Sequence, residues 1–101
     1  MAVSNRNTGK YKIDLSKLKP GTRLLVKSRK WYEDNIKSNE TRLKTMFSVE
    51  GHNFTEGMAR YCGTVVEVDS PTIVEDAVFV IGEDRNPTGY LWTPEMFECI
   101  M

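Results

Sequence analysis

A chain of 101 residues can fold as one domain but not as two ordinary ones, and its 40% hydrophobic and 10% aromatic content excludes a disordered polymer. Fourteen basic residues balance fourteen acidic ones, and such a neutral net charge is unlike that of dedicated nucleic-acid binders. No apolar run approaches the roughly 20 residues that span a bilayer, and the polar N-terminus lacks the apolar core of a secretory signal, so we expect a cytoplasmic protein with no membrane partner.

The composition divides the chain into an arm and a domain. Residues 1–12 are predicted to form a flexible N-terminal arm, because they are polar and show no periodicity. Residues 13–101 are predicted to fold as one β-barrel domain, which starts with a single helical turn capped by Asp14. A Pro-Gly pair ends this turn and opens the first strand, at residues 22–28, where apolar and basic side chains alternate.

The middle of the chain combines a polar connection, a strand and a short helix. Residues 29–43 show neither the helical nor the strand period, and we interpret them as a long connection that acts as a mobile flap. A second strand is predicted at residues 44–51. Thr55 can then cap a short helix, with Gly63 as the left-handed residue after it. The inner face of that helix would carry Phe54, Met58 and Tyr61.

Three more strands are predicted in the C-terminal part of the chain. The strand at residues 64–70 should end at Pro71, because proline cannot donate to a sheet ladder. The strand at residues 76–83 is apolar on both faces and should therefore be central and well buried. A turn rich in Asp, Asn, Pro and Gly leads from it to the last full strand, at residues 90–92.

The last strand is predicted to run directly into one helical turn. Thr93 is a suitable N-cap, and Pro94 occupies the first helical position, where its missing N–H costs nothing. Trp92 and Phe97 flank the cap at the spacing of a hydrophobic staple. We therefore assign Trp92 a structural role in this corner and not a ligand-stacking role.

Five short strands with one-turn helices between them predict an all-β protein, a small SH3-like barrel. Three motifs also carry a family likeness. They are Leu18-x-Pro20-Gly21-Thr22, Phe54-Thr55-x-x-Met58-x-x-Tyr61-x-Gly63 and Tyr90-x-Trp92-Thr93-x-Glu95-Met96-Phe97-Glu98. The chain resembles small uncharacterised proteins encoded by bacteriophages and prophages of Gram-positive bacteria, which look like SH3-type barrels distantly akin to mind-bomb repeats. This resemblance implies a fold and a phage origin, and it brings no catalytic residues.

The two halves of the chain carry opposite charge. Twelve lysines and arginines against four acidic residues give residues 1–45 a net charge of +8, and two against ten give residues 46–101 a net charge of −8. Such asymmetry either marks a surface for nucleic acid or another charged partner, or is neutralised where strands from the two halves lie side by side. We favour neutralisation.

The connection at residues 27–37 is the candidate nucleic-acid site. Its candidate binding residues are Arg29, Lys30, Trp31, Tyr32 and Lys37. Basic side chains neutralise phosphates, and bases stack on exposed aromatic rings. Glu33 and Asp34 follow at once and repel phosphate, so nucleic-acid binding is the alternative function.

The acidic half supplies the candidate protein-binding residues. These are the neighbouring pairs Glu75 and Asp76, and Glu83 and Asp84. Acidic pairs in turns are usually solvated, whereas general acid–base catalysis needs convergent groups, so we predict no enzyme. A strongly acidic surface can instead occupy the basic surface of a partner protein. Such a partner would be a host or phage protein, and inhibition of a host defence or nucleic-acid-handling factor is our functional hypothesis.

The cysteines and the histidine indicate neither a metal nor a cofactor. Cys62 and Cys99 belong to no CxxC pair, and we expect free thiols, although a disulfide between them stays open. His52 is the only histidine, and one imidazole with two distant thiols does not supply the four ligands of a zinc site. Arg60 could lower the pKa of the Cys62 thiol, but no base accompanies it. The sequence leaves both a monomer and a weak homodimer open.

Overall fold

The computed structural model describes residues 13–38 and 45–101, so the predicted arm at residues 1–12 lies outside the described residues. The helical elements are a 3-10 turn Leu15–Lys17, α1 Arg29–Ser38, α2 Glu56–Ala59 and a second 3-10 turn Pro94–Met96. The strands are β1 Arg23–Val26, β2 Met46–Val49, β3 His52–Thr55, β4 Val65–Val74, β5 Ala77–Ile81 and β6 Phe97–Ile100. Strands thus dominate the described chain, which confirms the predicted all-β class.

The strands form two antiparallel sheets. A four-stranded sheet has the order β5-β4-β1-β6, and β2 pairs with β3 as a separate hairpin. Leu24 of β1 lies opposite Val66 of β4 on one side and opposite Ile100 of β6 on the other. The outer strands β5 and β6 are not paired with each other in the described part of the chain, so the four-stranded sheet is open there.

The core lies between the sheets and follows the alternation that the sequence predicts. On β1, Leu24 and Val26 are 0% and 1% exposed, whereas Arg23 is exposed and Leu25 is partly exposed. Val66 and Val68 of β4 are equally buried. The largest fully buried side chains are Trp92, Phe54, Leu24, Met58 and Met96. Buried residues alternate with partly or fully exposed ones along β1 and the first half of β4, so the period of two places one face of the sheet in the core.

Two threonines begin helical turns with the same Thr-x-x-Met sequence. At Thr55, the side chain Oγ1 accepts a hydrogen bond from Met58 N at 3.3 Å, which confirms the predicted cap. The backbone N–H of Thr55 and that of Thr93 each donate to a methionine sulfur three residues on, at 3.4 Å in both cases. A thioether thus takes the place of the glutamate that closes an ordinary capping box.

Thr93 is the N-cap residue of its turn, as predicted, but its side chain makes no capping hydrogen bond. Its Oγ1 is fully buried and has no hydrogen-bond partner among the described residues. The N–H of Glu95 is satisfied instead by Glu50 Oε1, at 2.9 Å, which reaches across from the turn between β2 and β3. A carboxylate is a stronger acceptor than a hydroxyl at a helical N-terminus, so the distant residue serves as the cap.

Replacing Thr93 by valine is therefore expected to leave the protein as stable or to stabilise it by about 1 kcal/mol, because an unsatisfied buried hydroxyl is removed without loss of shape. Thr55→Val is the matched control and should lower the free energy of unfolding by about 1 kcal/mol, because it removes the hydroxyl that accepts a hydrogen bond from Met58 N. Urea denaturation of both variants gives the comparison. Equal losses at the two positions would show that Thr93 does cap its turn.

The predicted staple between Trp92 and Phe97 is confirmed. The two rings stack with centroids 5.7 Å apart and an interplanar angle of 22°. The indole N–H of Trp92 donates to Thr88 Oγ1 at 2.9 Å, so the polar atom of this fully buried ring is satisfied. The side chains of Trp92, Phe97 and Thr88 therefore stabilise the corner at which the chain enters β6.

The described part of the predicted connection at residues 29–43 is a helix, not a loop. Ser28 Oγ accepts a hydrogen bond from Trp31 N at 3.1 Å, which is the geometry of an N-cap. The helix α1 then turns Trp31, Tyr32 and Ile36 toward the core. Only three apolar residues mark this face in a polar segment, which is why the periodicity is easy to miss.

The structure also corrects the predicted ends and positions of strands. Pro71 does not end β4, which continues to Val74 through an irregular register between Val68 and Ile73. Proline is tolerated at such irregularities because the ladder is already interrupted. Residues 90–92 make only an isolated bridge, between Trp92 and Val78, and the last strand is β6.

Two further strands differ from what the sequence predicts. The strand β5 is an outer strand of its sheet and not a central one, although Ala77, Val78 and Val80 are buried. The chain that follows covers its outer edge, since Thr88 N donates to Val80 O at 3.0 Å. The strand β3, which pairs Phe54 with Phe47, was not predicted at all.

Candidate functional site

The cations of α1 are largely engaged by the helix itself. Arg29 Nε lies 3.5 Å from a Glu33 oxygen, and Lys30 Nζ lies 2.9 Å from Asp34 Oδ2. Both are exposed pairs at the i,i+4 spacing, and the Asp34 carboxylate raises the pKa of Lys30. Lys37 is exposed in the last turn. The helix therefore does not present a continuous basic face to a phosphate backbone.

The two aromatic residues of α1 belong mainly to the core. Tyr32 is 7% exposed, and its hydroxyl donates to Thr45 O at 3.3 Å. Burial raises the pKa of Tyr32. Trp31 is half-buried and meets Phe47 and Phe54 edge-on, with centroids 5.2 and 5.0 Å apart. Only Trp31 thus keeps enough accessible surface to contact a ligand.

The predicted acidic pairs lie at opposite ends of β5. Glu75 and Asp76 form the two-residue turn before the strand, whereas Glu83 and Asp84 follow it. The five residues of β5, about 17 Å in length, and Gly82 lie between the two pairs. Hydrogen bonds from Asn86 lower the pKa of Asp84. The structure therefore does not bring the four predicted acids together on one surface.

A different set of acids does come together. Glu95 N donates to Glu50 Oε1 at 2.9 Å. The ring nitrogen Nε2 of His52 lies 2.7 Å from Glu75 O, and because a carbonyl oxygen only accepts, Nε2 carries the proton. These two bonds draw the β2–β3 turn, the β4–β5 turn and the second 3-10 turn to the same part of the molecule. We call the exposed carboxylates Glu50, Glu75, Asp76 and Glu95 the acidic end.

Three residues of the acidic end have left-handed backbone. The φ angles are 53° at Glu50, 51° at Glu75 and 65° at Asp76. Two-residue hairpins require positive φ, and Asn-Gly is the usual solution because other side chains are strained there. Such strain costs of order 1 kcal/mol or more per residue and is found preferentially at functional sites.

A small pocket lies against the acidic end and α1. Its volume is about 200 Å³. The residues that line it are Trp31, Asn35, Phe47, Ser48, Val49, Glu50 and Glu95. We call it the Trp31 pocket. Among the described residues, no group of three or more acids, histidines or cysteines could hold a metal ion.

On the four-stranded sheet, charged residues of opposite sign lie side by side. The basic strand β1 lies between two strands from the acidic half, with Arg23 opposite Glu67. Lys27 Nζ is 4.0 Å from Glu98 Oε1, and Arg85 bridges to Glu67 at 3.3 Å. This interleaving is the neutralisation that the sequence analysis favours, and it applies to the four-stranded sheet.

The second predicted acidic pair, Glu83 and Asp84, lines two other concavities. A groove of about 450 Å³ on the four-stranded sheet includes Glu83 among its lining residues, together with Arg23, Glu67 and Arg85. A pocket of about 200 Å³ includes both Glu83 and Asp84, next to Arg60. Each carries both signs of charge, so neither favours a ligand of one charge.

The thiols give no sign of an activated nucleophile. Burial raises the pKa of Cys62, and the opposing effect comes from Arg29 and not, as the sequence suggests, from Arg60. Arg60 instead lies over the Tyr61 ring, 5.2 Å from its centroid. Both Cys62 and Cys99 are free, the first half-buried and the second exposed.

Sequence reasoning missed Glu50 and Glu95 as members of the site. The signal for Glu50 was local, a Glu-Gly pair between two alternating segments, which is typical of a two-residue hairpin turn. No local signal places Glu95 beside it, because 45 residues separate them.

Comparison with protein-family models, curated proteins and solved structures found no match to this chain. Among the described residues, no helix is both long enough and apolar enough to cross a membrane.

Proposed function

We propose that this chain is a non-enzymatic phage accessory protein that binds a basic surface of a host or phage protein through its acidic end. By occupying that surface in the host cytoplasm, it inhibits a host defence or nucleic-acid-handling factor. We also propose that the fold is an SH3-like barrel. Short antiparallel strands and a single 3-10 turn directly before the last strand support that proposal.

The observation that carries the proposal is the strained backbone of the acidic end. Glu50, Glu75 and Asp76 occupy positions where asparagine or glycine would be more stable. At Glu50 the carboxylate also caps the second 3-10 turn, which offsets the backbone strain. At Glu75 and Asp76 the left-handed backbone reduces the stability of the fold, and a role in binding explains why carboxylates are found there. Two hydrogen bonds between the turns, to Glu50 and from His52, fix the arrangement before a partner arrives.

The same geometry weighs against nucleic-acid binding. The cations Arg29 and Lys30 pair with acids of their own helix, and Tyr32 is buried. The acidic end lies against α1 and repels phosphate. A basic protein surface, in contrast, is attracted to it, and that attraction also speeds association.

The test is affinity capture from a lysate of Gram-positive bacteria with the protein and with the variant Glu75→Asn/Asp76→Gly. The variant is expected to be about 1 kcal/mol more stable, because the turn strain is relieved. It should nevertheless bind its partner about tenfold more weakly, since two carboxylates of the acidic end are lost. A variant that is both more stable and poorer at binding separates function from folding.

Asp69→Asn/Glu98→Gln is the matched control, because it removes the same charge elsewhere on the surface. Retained partner binding in both variants would refute the role of the acidic end. Titration of labelled single- and double-stranded DNA at two salt concentrations tests the alternative, and tight binding that weakens steeply with salt would replace our proposal with a nucleic-acid function.

A further inference from the structure

The Trp31 pocket has the chemistry of a receptor for one basic side chain. We propose that it binds a single arginine or lysine side chain of the protein partner. This inference rests on the proposed function and adds to it the group that the partner must supply. The acidic end would attract the basic surface, and the pocket would select one residue on it.

The pocket contains strong acceptors. Asn35 Nδ2 donates to Trp31 O at 2.8 Å, so one amide N–H is used within the helix, and the amide oxygen of Asn35 can accept from a ligand. Glu50 and Glu95 add carboxylates, and none of the described residues that line the pocket is a lysine or an arginine. Guanidinium and ammonium groups only donate, so they match such a lining, whereas an anion does not.

The aromatic wall of the pocket suits a cation as well. Trp31 is half-buried and is held edge-on by Phe47 and Phe54, which fixes its orientation. Tryptophan is the best aromatic partner for a cation, because its ring face carries negative potential. At about 200 Å³ the pocket has room for several water-sized groups, enough for the head of one side chain and not for a folded segment.

The rim of the pocket is preorganised. The hydrogen bond of 2.9 Å from Glu95 N to Glu50 Oε1 joins the β2–β3 turn to the second 3-10 turn, so two elements that are distant in sequence close one wall. Ser28 caps α1 and fixes the helix that carries Trp31 and Asn35. A site whose groups are already ordered loses less entropy when a ligand binds.

The test uses the two tryptophans as internal reporters. N-acetyl-arginine amide is titrated into the protein while the indole N–H signals of Trp31 and Trp92 are followed by NMR. The Trp31 signal should shift and saturate, whereas the signal of the buried Trp92 should not move. N-acetyl-citrulline amide, which has the same shape without the charge, should give no saturable shift. Glu95→Gln should weaken arginine binding about fivefold, and Glu98→Gln should not weaken it.

The outcomes distinguish this inference from the proposed function. Equal shifts with arginine and citrulline, or no saturable shift of Trp31, would overturn the basic-side-chain site. If partner capture still depends on Glu75 and Asp76 in that case, the proposed function stands without the pocket. A saturable arginine shift with no loss of partner capture in Glu75→Asn/Asp76→Gly would support the pocket and refute the wider acidic end.

Discussion

Replacing Trp92 by alanine should cost about 3–5 kcal/mol of stability, the usual range for truncation of a large buried aromatic side chain. The indole is 0% exposed and lies within 6 Å, centroid to centroid, of three other rings: Phe54 at 5.7 Å, Tyr61 at 5.9 Å and Phe97 at 5.7 Å. Its loss also leaves Thr88 Oγ1 without the indole donor. Against a typical total of about 5–15 kcal/mol, such a loss brings a small domain close to unfolding.

Urea denaturation followed by circular dichroism measures this loss, with Trp31→Ala as the matched control. Trp31 is also a tryptophan in contact with Phe54, but it is half-buried, so its truncation removes less apolar contact and should cost clearly less. The stability loss of Trp92→Phe should lie between the losses of Trp31→Ala and Trp92→Ala, because phenylalanine keeps an aromatic ring in the core and loses the hydrogen bond to Thr88. If Trp92→Ala cost no more than Trp31→Ala, the corner between Trp92 and Phe97 would not be the centre of the core.

Tyr32→Ala is expected to destabilise the protein by about 3 kcal/mol, although the sequence suggests an exposed binding residue. The ring is 7% exposed and packs against Phe47 and Phe54, with centroids 6.0 and 5.8 Å away. Its hydroxyl joins the first turn of α1 to Thr45 O, in the residue directly before β2. Truncation therefore creates a cavity and breaks a contact between two elements.

The control for Tyr32 is Lys30→Ala in the same helix. Lys30 is exposed and pairs with Asp34 at the surface, so its removal should change stability by less than about 0.5 kcal/mol. Thermal or urea denaturation of the two variants decides the matter. A Tyr32→Ala variant as stable as Lys30→Ala would place the tyrosine on the surface and return it to the candidate binding residues.

This difference also determines which variants can test function in α1. Substitution of Arg29 or Lys30 removes charge and leaves the core intact, because both side chains are exposed. A combined replacement that includes Tyr32 would remove the packing of α1 against the β2–β3 hairpin. Any loss of binding could then result from loss of the fold and would say nothing about recognition. The charges and Trp31 are the positions where binding can be separated from folding.

The sequence by itself determined the features that depend on neighbours along the chain. The alternation on β1, the cap at Thr55 and the staple from Trp92 to Phe97 all involve residues at most five positions apart. Such contacts form with little loss of chain entropy, so residue type and spacing are enough to predict them. The helix α1 was missed because its signals, an N-cap serine and three apolar residues, are weak in a polar segment.

Only the tertiary structure decided which turns meet. Glu50 replaces Thr93 as the cap of the second 3-10 turn, and His52 fixes the turn at Glu75. Each contact joins residues more than 20 positions apart, and it exists because the packed sheets bring their ends together. Spacing along the chain carries no information about such pairs, since many pairings of turns satisfy the same local pattern. Residue type and spacing therefore determine the local contacts along the chain, whereas the acidic end and the Trp31 pocket arise from the way the elements pack.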